Sequence, residues 1–423
     1  MMRPETWYAA SQPQPARPGV AGVIEVETAI VGGGLAGLTT ALALARAGQK
    51  VAVIEAQQVG FGASGRNGGI VSPAFACGSD AIEARVGRDA ARALHRLTIE
   101  GVERVRATIR ELNITGAQPV DGLLNLRRHD RAQDLKDWVQ DWARTYEYPM
   151  TYLDRAAIRE RLASDRYLHG VADPQAFHIH PLAYLLGIAS EIENLGGLVL
   201  ENSPVLSHEL GPVKRLRCAR GEVQARRVVF AMGGYTTRLV PALKRAILPI
   251  ATYMIQTAAS PDLAQAIRTT EAVLDDRRNS DYYRLVDGGR RLLWGGRIST
   301  RDASARGVAK SLRAAMHEVF PQLDGIRIER AWSGWMGYAR HLMPQIGRLG
   351  PEEWHITAFG GHGLNTTAVA GKILAEAILG ETDRIALFSP WGLSWAGGPF
   401  GLIAAQMTYW GLQLQDRWRE RGL

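Results

Sequence analysis

Six residues near the start of the chain, Gly32-Gly33-Gly34-Leu35-Ala36-Gly37, have the types and spacing of a G-x-G-x-x-G turn. In such a turn the first glycine permits the sharp reversal and the second lets a pyrophosphate approach the backbone. The third allows a helix to pack closely on a strand. Gly32, Gly34 and Gly37 fill these positions, with Leu35 and Ala36 between the last two. Glu55 lies 18 residues beyond Gly37, about where a carboxylate accepts from ribose hydroxyls and repels an extra phosphate. The chemistry is that of holding a dinucleotide, its pyrophosphate set on a helix N-terminus where unpaired N–H groups and the dipole favour negative charge.

The elements around the turn are those it needs. Thr28 to Val31 is an apolar run that reads as a buried strand, and Leu38 to Ala47 is rich in alanine and leucine and reads as a helix. Gly48 stands in the favoured position just past its end. Lys50 to Ile54 reads as a parallel strand finishing at Glu55. The motif alone does not choose between NAD and FAD. Three later segments favour a flavin. Gly60 to Gly69 is a glycine-rich loop carrying Ala63, Ser64, Arg66, Asn67 and Gly68, suited to close approach of backbone to a ligand. Arg227 to Met232 reads as a strand running into Gly233-Gly234-Tyr235. Trp354 to Phe359 reads as another, followed by Gly360 to Thr367 and a helix from Ala368 to Leu379 that ends at Gly380. Asn365 or Thr366 is placed to cap that helix, and a second helix N-terminus aimed at a redox ring would stabilise a reduced, anionic flavin.

Composition narrows the remaining classes. The chain has 423 residues, 46% hydrophobic and 22% charged, enough for two domains or one interleaved body. Its net charge of +8 comes from 50 basic and 42 acidic residues, but only six of the basic ones are lysine and no basic block occurs. A solvated basic surface fits better than nucleic-acid binding. Cys77 and Cys218 make no disulfide framework and have no metal-ligand neighbours, so no metal is expected and a reducing cytosol fits. Met1 to Val20 lacks the apolar core of a signal peptide, and no apolar run is long enough to span a bilayer. Asp80 to Leu112 and Ala132 to Tyr146 read as helices, and Pro249 to Ala258 as a strand. Tyr282–Val286 and Arg291–Gly295 read as a hairpin joined by Asp287-Gly288-Gly289. From Gly401 to Trp418 the tail reads as a helix with an apolar face, and the chain ends with Arg417, Arg419 and Arg421. Such a helix suits a membrane interface or a docking face on the protein or a dimer partner.

With these motifs in order, the sequence resembles the D-amino-acid-oxidase-like flavoenzyme superfamily, and within it the gamma-glutamylputrescine oxidoreductase group. The matching text includes Trp7-Tyr8-Ala9-Ala10, Ile30–Gly37, Gly60–Gly69, Asp173–Pro181, Val228–Tyr235, Tyr282–Arg284, Leu293–Gly296, Pro344–Gly347 and Gly360–Glu376. The resemblance covers nearly the whole chain to about Pro390. It implies an α/β chain, α+β overall, in which a Rossmann-like FAD-binding domain is interleaved with an antiparallel-sheet substrate domain. The FAD domain would comprise residues 26–76, 166–235 and 330–388, the substrate domain 77–165 and 236–329, and an amphipathic tail 391–423. The FAD contacts it implies are Gly32, Gly34, Leu35, Ala36, Gly37, Glu55, Ala63, Ser64, Arg66, Asn67, Gly68, Gly69, Val205, Gly233, Gly234, Gly361, Gly363, Leu364, Asn365 and Thr366.

The expected reaction is oxidation of the C–N bond of a small amine or amino acid, by hydride transfer from the carbon beside a neutral nitrogen to the flavin, followed by hydrolysis of the imine. His362, Tyr253 and Trp335 are the expected catalytic side chains, with Tyr283, Trp332 and Arg340 as further substrate candidates; His178 and His180 read as structural. The related sarcosine-oxidase branch attaches its flavin through a cysteine just before the segment matching Pro344–Gly347. Trp332 to Leu342 contains none, so FAD is expected to be non-covalent, with His341 a weak alternative link. Leu293 stands where that branch has a lysine, which leans away from oxygen as acceptor and leaves oxygen or a quinone open. A cytoplasmic enzyme is the expected setting, its tail docked on the FAD domain or a dimer partner, with peripheral contact at the inner membrane face as the alternative. Two other readings stay open: an FAD-dependent hydroxy-acid dehydrogenase, and an electron-relay flavoprotein subunit with no amine substrate of its own.

Overall fold

Thr28, Ala29, Ile30 and Val31 are all buried, as the central strand of a sheet covered on both faces must be. In the computed structural model, which describes residues 5–277, 281–301 and 303–419, they end a ten-residue strand, Gly22–Val31, at the centre of the first sheet. Its path runs Gln345–Gly350, Glu353–Thr357, Gly221–Phe230, Gly22–Val31, Val51–Ile54, Leu198–Leu200. All pairings are parallel except the first. Lys214–Cys218 extends the sheet antiparallel to Gly221–Phe230, and Ser207–Leu210 pairs antiparallel with Lys214–Cys218. The helices Leu35–Arg46 and Gly363–Leu379 lie against each other. A Cβ on Gly371 would stand 2.4 Å from Thr39 Oγ1, so the contact needs glycine.

The second sheet follows the order Ile328–Tyr338, Leu248–Thr257, Arg291–Ser299, Tyr282–Val286, Ala272–Asp275, Val120–Arg127, His169–His178, Ile70–Val71, with Thr151–Leu153 beside His169–His178. Strand alternation divides its side chains between two cores. Ala251, Tyr253 and Ile255 pack with Trp294 and Phe320 beneath the amphipathic helix Ala305–Val319. Met254, Leu293 and Trp332 join the large core shared with the first sheet.

Several expectations shift. The sheet is not wholly antiparallel: Ala272–Asp275 pairs parallel with Leu123–Leu126. The strands His169–His178 and Ile328–Tyr338, most or all of which the sequence reading assigns to the nucleotide-binding part, pair in the second sheet, as does Ile70–Val71. The Asp80–Leu112 region is two helices, Ser79–Val86 and Arg88–Glu111, broken at Gly87 with φ +78°. The expected hairpin forms, with Asp287, Gly288 and Gly289 all at positive φ. The tail is a helix, Gly398–Arg419; its last residues, 420–423 with Arg421, lie outside the described residues, as do Met1 to Pro4. Among the described residues no helix is long and apolar enough to cross a membrane.

Candidate functional site

Gly32 enters the turn at φ +116°, and a Cβ there would stand 2.7 Å from the Ala231 carbonyl oxygen. A Cβ on Gly37 would stand 2.0 Å from the Gly32 carbonyl oxygen, so the helix starts directly on the turn. It starts at Leu35, three residues earlier than its composition indicates. The Glu55 carboxylate accepts from Gly33 N at 2.7 Å and from Gln57 N at 2.9 Å. Burial pushes its pKa up and these backbone bonds pull it back. Leu35 N donates to Ser64 Oγ at 3.0 Å, joining the helix N-terminus to the glycine-rich loop.

That loop is held along its length. Gly60 N donates to Gly33 O at 3.0 Å. Asn67 Nδ2 donates to the Ala63 and Ser64 carbonyls, and Asn67 Oδ1 accepts from Gly69 N. Arg66 donates to Phe61 O and, across to the second sheet, to Ser333 O. The carbonyls of three successive residues take donors from elsewhere: Arg66 O from Trp332 Nε1 at 3.0 Å, Asn67 O from Tyr8 OH at 2.7 Å, Gly68 O from Arg284 Nε at 2.6 Å. The Arg66 and Asn67 side chains thus fold the loop on itself and tie it to the second sheet.

The second helix N-terminus is observed, but the expected cap is not. The helix begins at Gly363, its N-cap residue is His362, and no side chain caps it. Asn365 and Thr366 sit inside the first turn: Asn365 Nδ2 donates to Thr98 O at 3.4 Å, and Thr366 Oγ1 back to His362 O. The cause is the approach. Gly360 and Gly361 at φ +57° and +86° turn the chain early enough for helical backbone to start at Gly363. A Cβ on Gly363 would be 4.0 Å from Leu35 Cδ1, so the two helix N-termini converge. Leu364 is buried there. His362 Nδ1 lies 3.4 Å from Gly360 O, and burial lowers its pKa, keeping the imidazole neutral near pH 7. Gly233 and Gly234 form a short turn whose backbone abuts Trp335 O. Val205 is half-buried against the core of the first sheet.

The expected aromatic side chains are divided by the pleat. Trp332 faces the loop. Tyr253, Trp335 and Tyr283 pack with the core on the other face, under the helix Ala305–Val319. Tyr253 donates to Arg301 O, and Tyr283 stacks on Trp294 at 4.3 Å. None of these three lies on the loop-facing side. Counting by twos from Met254 and Trp332 finds the residues that do: Thr252, Tyr282, Gly334, Met336 and Tyr338. Tyr282 OH and Thr252 Oγ1 are 3.2 Å apart, and burial pushes the Tyr282 phenol up to about 12. A Cβ on Gly361 would be 3.2 Å from Tyr338 OH and 3.3 Å from Met336 Sδ, which sets the Gly360–His362 turn over this face. The Tyr338 phenol is raised by burial and by the nearby phenols of Tyr409, on the tail helix, and Tyr282. Arg340 is exposed beyond the strand end. His178 bonds Thr270 O and Arg284, and His180 Nδ1 accepts from Ala183 N to cap a helix, so both are structural. His341 contacts Gly392 O and Met343 N.

Residues 27–377 match the family model described as FAD dependent oxidoreductase (DAO). Gamma-glutamylputrescine oxidoreductase of Escherichia coli (strain K12) is 34% identical over 369 residues, covering 86% of each chain. Glycine oxidase of Bacillus licheniformis is 26% identical over 377 residues, covering 84% of this chain and 93% of that one. Among solved structures, glycine oxidase from Geobacillus kaustophilus superimposes with a TM-score of 0.73 at 20% identity, covering 88% of this chain and 99% of that chain. The two converging helix N-termini and the matched length leave one assignment: the chain belongs to the DAO family of FAD-dependent oxidoreductases.

Proposed function

We propose that the chain oxidises the C–N bond of a small amine or amino acid of the gamma-glutamylputrescine type, with FAD held non-covalently. The observation that carries this reading is the loop-facing wall of the second sheet. Met336 and Tyr338 meet the Gly360–His362 turn there, Tyr282 meets the glycine-rich loop at Gly68, and Thr252 bonds Tyr282, all with neutral side chains. Aromatic and hydroxyl groups of this kind receive an amine through its apolar and cation-attracting contacts. The similarity to an amine-oxidising relative points the same way.

The residues fit FAD. The Gly32–Gly37 turn and the first-turn N–H of Ala36 would hold the pyrophosphate, and the oriented Glu55 carboxylate the ribose. When bound, FAD supplies the two-electron acceptor that takes hydride from the carbon beside nitrogen, after which the imine hydrolyses. The chain's own part is to bind and orient the amine, to exclude water at the sheet face, and to offer a neutral His362 near the site. No cysteine lies on the Trp332–Leu342 segment, which supports non-covalent binding.

The acceptor is oxygen or a quinone; fully buried Leu293, on the loop-facing side, stands where the oxygen-using branch has a lysine, which leans towards the quinone. The tail supports a place at the inner membrane face. Trp395, Phe400, Ile403, Met407, Trp410, Leu414 and Trp418 are all exposed, spaced so that one helix stripe carries the last six. Anaerobic bleaching of the flavin band at about 450 nm tests the reaction, using polyamines, gamma-glutamylated amines, N-methyl amino acids and D-amino acids. Bleaching by one class identifies the substrate, and its rate of reversal in air separates oxygen from another acceptor. Bleaching only by hydroxy acids, or by nothing, overturns the amine reading.

A further inference from the structure

Four arginines are buried among the described residues: Arg17, Arg128, Arg227 and Arg284. Three of them have carboxylate partners, Arg17 with Glu193, Arg128 with Asp275 and Asp281, Arg227 with Glu352. Arg284, 5% exposed, has only neutral ones. Its Nε donates to Gly68 O at 2.6 Å and its Nη2 to Ile179 O at 2.7 Å. The remaining contacts are Nη2 to Tyr8 OH at 3.2 Å and Nη1 to His178 Nδ1 at 3.1 Å. Burial and this guanidinium hold His178 down to about 3 and His180 down to about 4, so neither ring carries a charge near pH 7.

Burying an ion without a counter-ion is costly even when its hydrogen bonds are made, because neutral dipoles replace only part of its hydration. The location says what would balance it. Arg284 stands on the loop-facing side of the second sheet, and its Nη2 is 2.7 Å from where a Cβ on Gly69 would be. Leu293, directly across in register, is apolar. The guanidinium therefore lies against the backbone of Gly68 and Gly69, in the loop joined to the first helix N-terminus through Ser64.

We propose that Arg284 is a positioning residue of the FAD site with two separable effects. Its hydrogen bonds fix the Gly68–Gly69 backbone against which the cofactor rests, and its uncompensated charge favours the reduced, more negative state of the cofactor over the oxidised one. The inference rests on the FAD reading of the site. Tyr8 shares the first effect without the second: its hydroxyl bonds Asn67 O and Arg284 but carries no charge.

The test uses purified holoenzyme of the wild type, Arg284→Met, Arg284→Lys and Tyr8→Phe, each measured for FAD affinity by fluorescence quenching and for reduction potential by spectroelectrochemistry. In Arg284→Met the preference for reduced over oxidised cofactor falls at least tenfold, a potential shift of about 30 mV to more negative values for a two-electron couple. Arg284→Lys, which keeps charge but not the fork, and Tyr8→Phe weaken FAD binding while holding the wild-type potential. If Arg284→Met does not fold, the Lys and Phe variants decide, since a potential moved in both as FAD loosens overturns the charge effect. An unchanged potential in Arg284→Met overturns it too, leaving the FAD reading intact. A wild-type protein that takes up no FAD overturns both.

Discussion

Replacing Gly37 by alanine places a methyl carbon 2.0 Å from the Gly32 carbonyl oxygen and 3.2 Å from Ile30 Cγ2. An ordinary carbon–oxygen contact is roughly 3.3 Å or more, so the turn and the helix must part by about 1.3 Å. Neither side gives easily. Gly32 is held by its N–H bond to Ile54 O at 2.9 Å and is pressed against Ala231 O, while the helix packs on Gly363–Leu379. Overpacking of this kind costs about 1–3 kcal/mol, and the displaced backbone is the part that would cradle the pyrophosphate. We expect the FAD dissociation constant of Gly37→Ala to rise roughly 10- to 100-fold, at about 1.4 kcal/mol per factor of ten. Titrating FAD into deflavinated protein and following fluorescence quenching measures it. Gly48→Ala is the control. Gly48 ends the same helix at φ +78° with nothing within 4 Å of a Cβ, so it should lose about 1 kcal/mol of stability with FAD affinity unchanged. Equal FAD affinity in Gly37→Ala and wild type would refute the assignment of the turn to the cofactor.

Three further outcomes follow from the same structure. Arg128→Met takes its guanidinium from the buried carboxylates Asp275 and Asp281, leaving Arg277 to pair with Asp281, and should cost about 3–5 kcal/mol, read as a lower urea midpoint; a loss under 1 kcal/mol would show that the network is not structural. Burial lowers His178 to about 3 and His180 and His355 to about 4, so each adds stability above the unfolded value of about 6.5 that is lost as pH falls towards the folded values. Asp281, raised to about 7 by burial and then by Asp275, acts oppositely, its contribution being lost as pH rises through about 7. Burial lowers six histidines (His95, His178, His180, His341, His355 and His362) and raises four carboxyls (Glu55, Asp173, Asp275 and Asp281), so the histidines outnumber the acids and the urea midpoint should drop between pH 7 and pH 5; a flat or rising midpoint contradicts this. Deleting residues 398–423 should abolish flotation with anionic vesicles while leaving FAD content unchanged, since the exposed stripe lies on the tail helix; vesicle binding that survives the deletion removes the membrane role.

What the sequence determined by itself is local. The Gly32–Gly37 turn, the strands beside it, the Gly360–Gly361 approach and the Asp287–Gly289 hairpin are each written within about ten residues, because positive φ and close backbone approach admit little but glycine. Glu55 was legible for the same reason, standing one strand and one helix away from the turn it serves. The sequence could not say which face of a strand meets the cofactor loop. Tyr253 and Trp335 carry suitable side chains one residue out of phase with Thr252, Gly334 and Met336, and strand register with its period of two, not residue type, decides between them. Nor could it foretell that Trp332, Tyr8 and Arg284, 324 residues apart at the extremes (332 − 8), would each take one carbonyl of Arg66-Asn67-Gly68. Those bonds exist only because two sheets are packed together, and a hydrogen bond across that packing leaves no periodic trace in the chain.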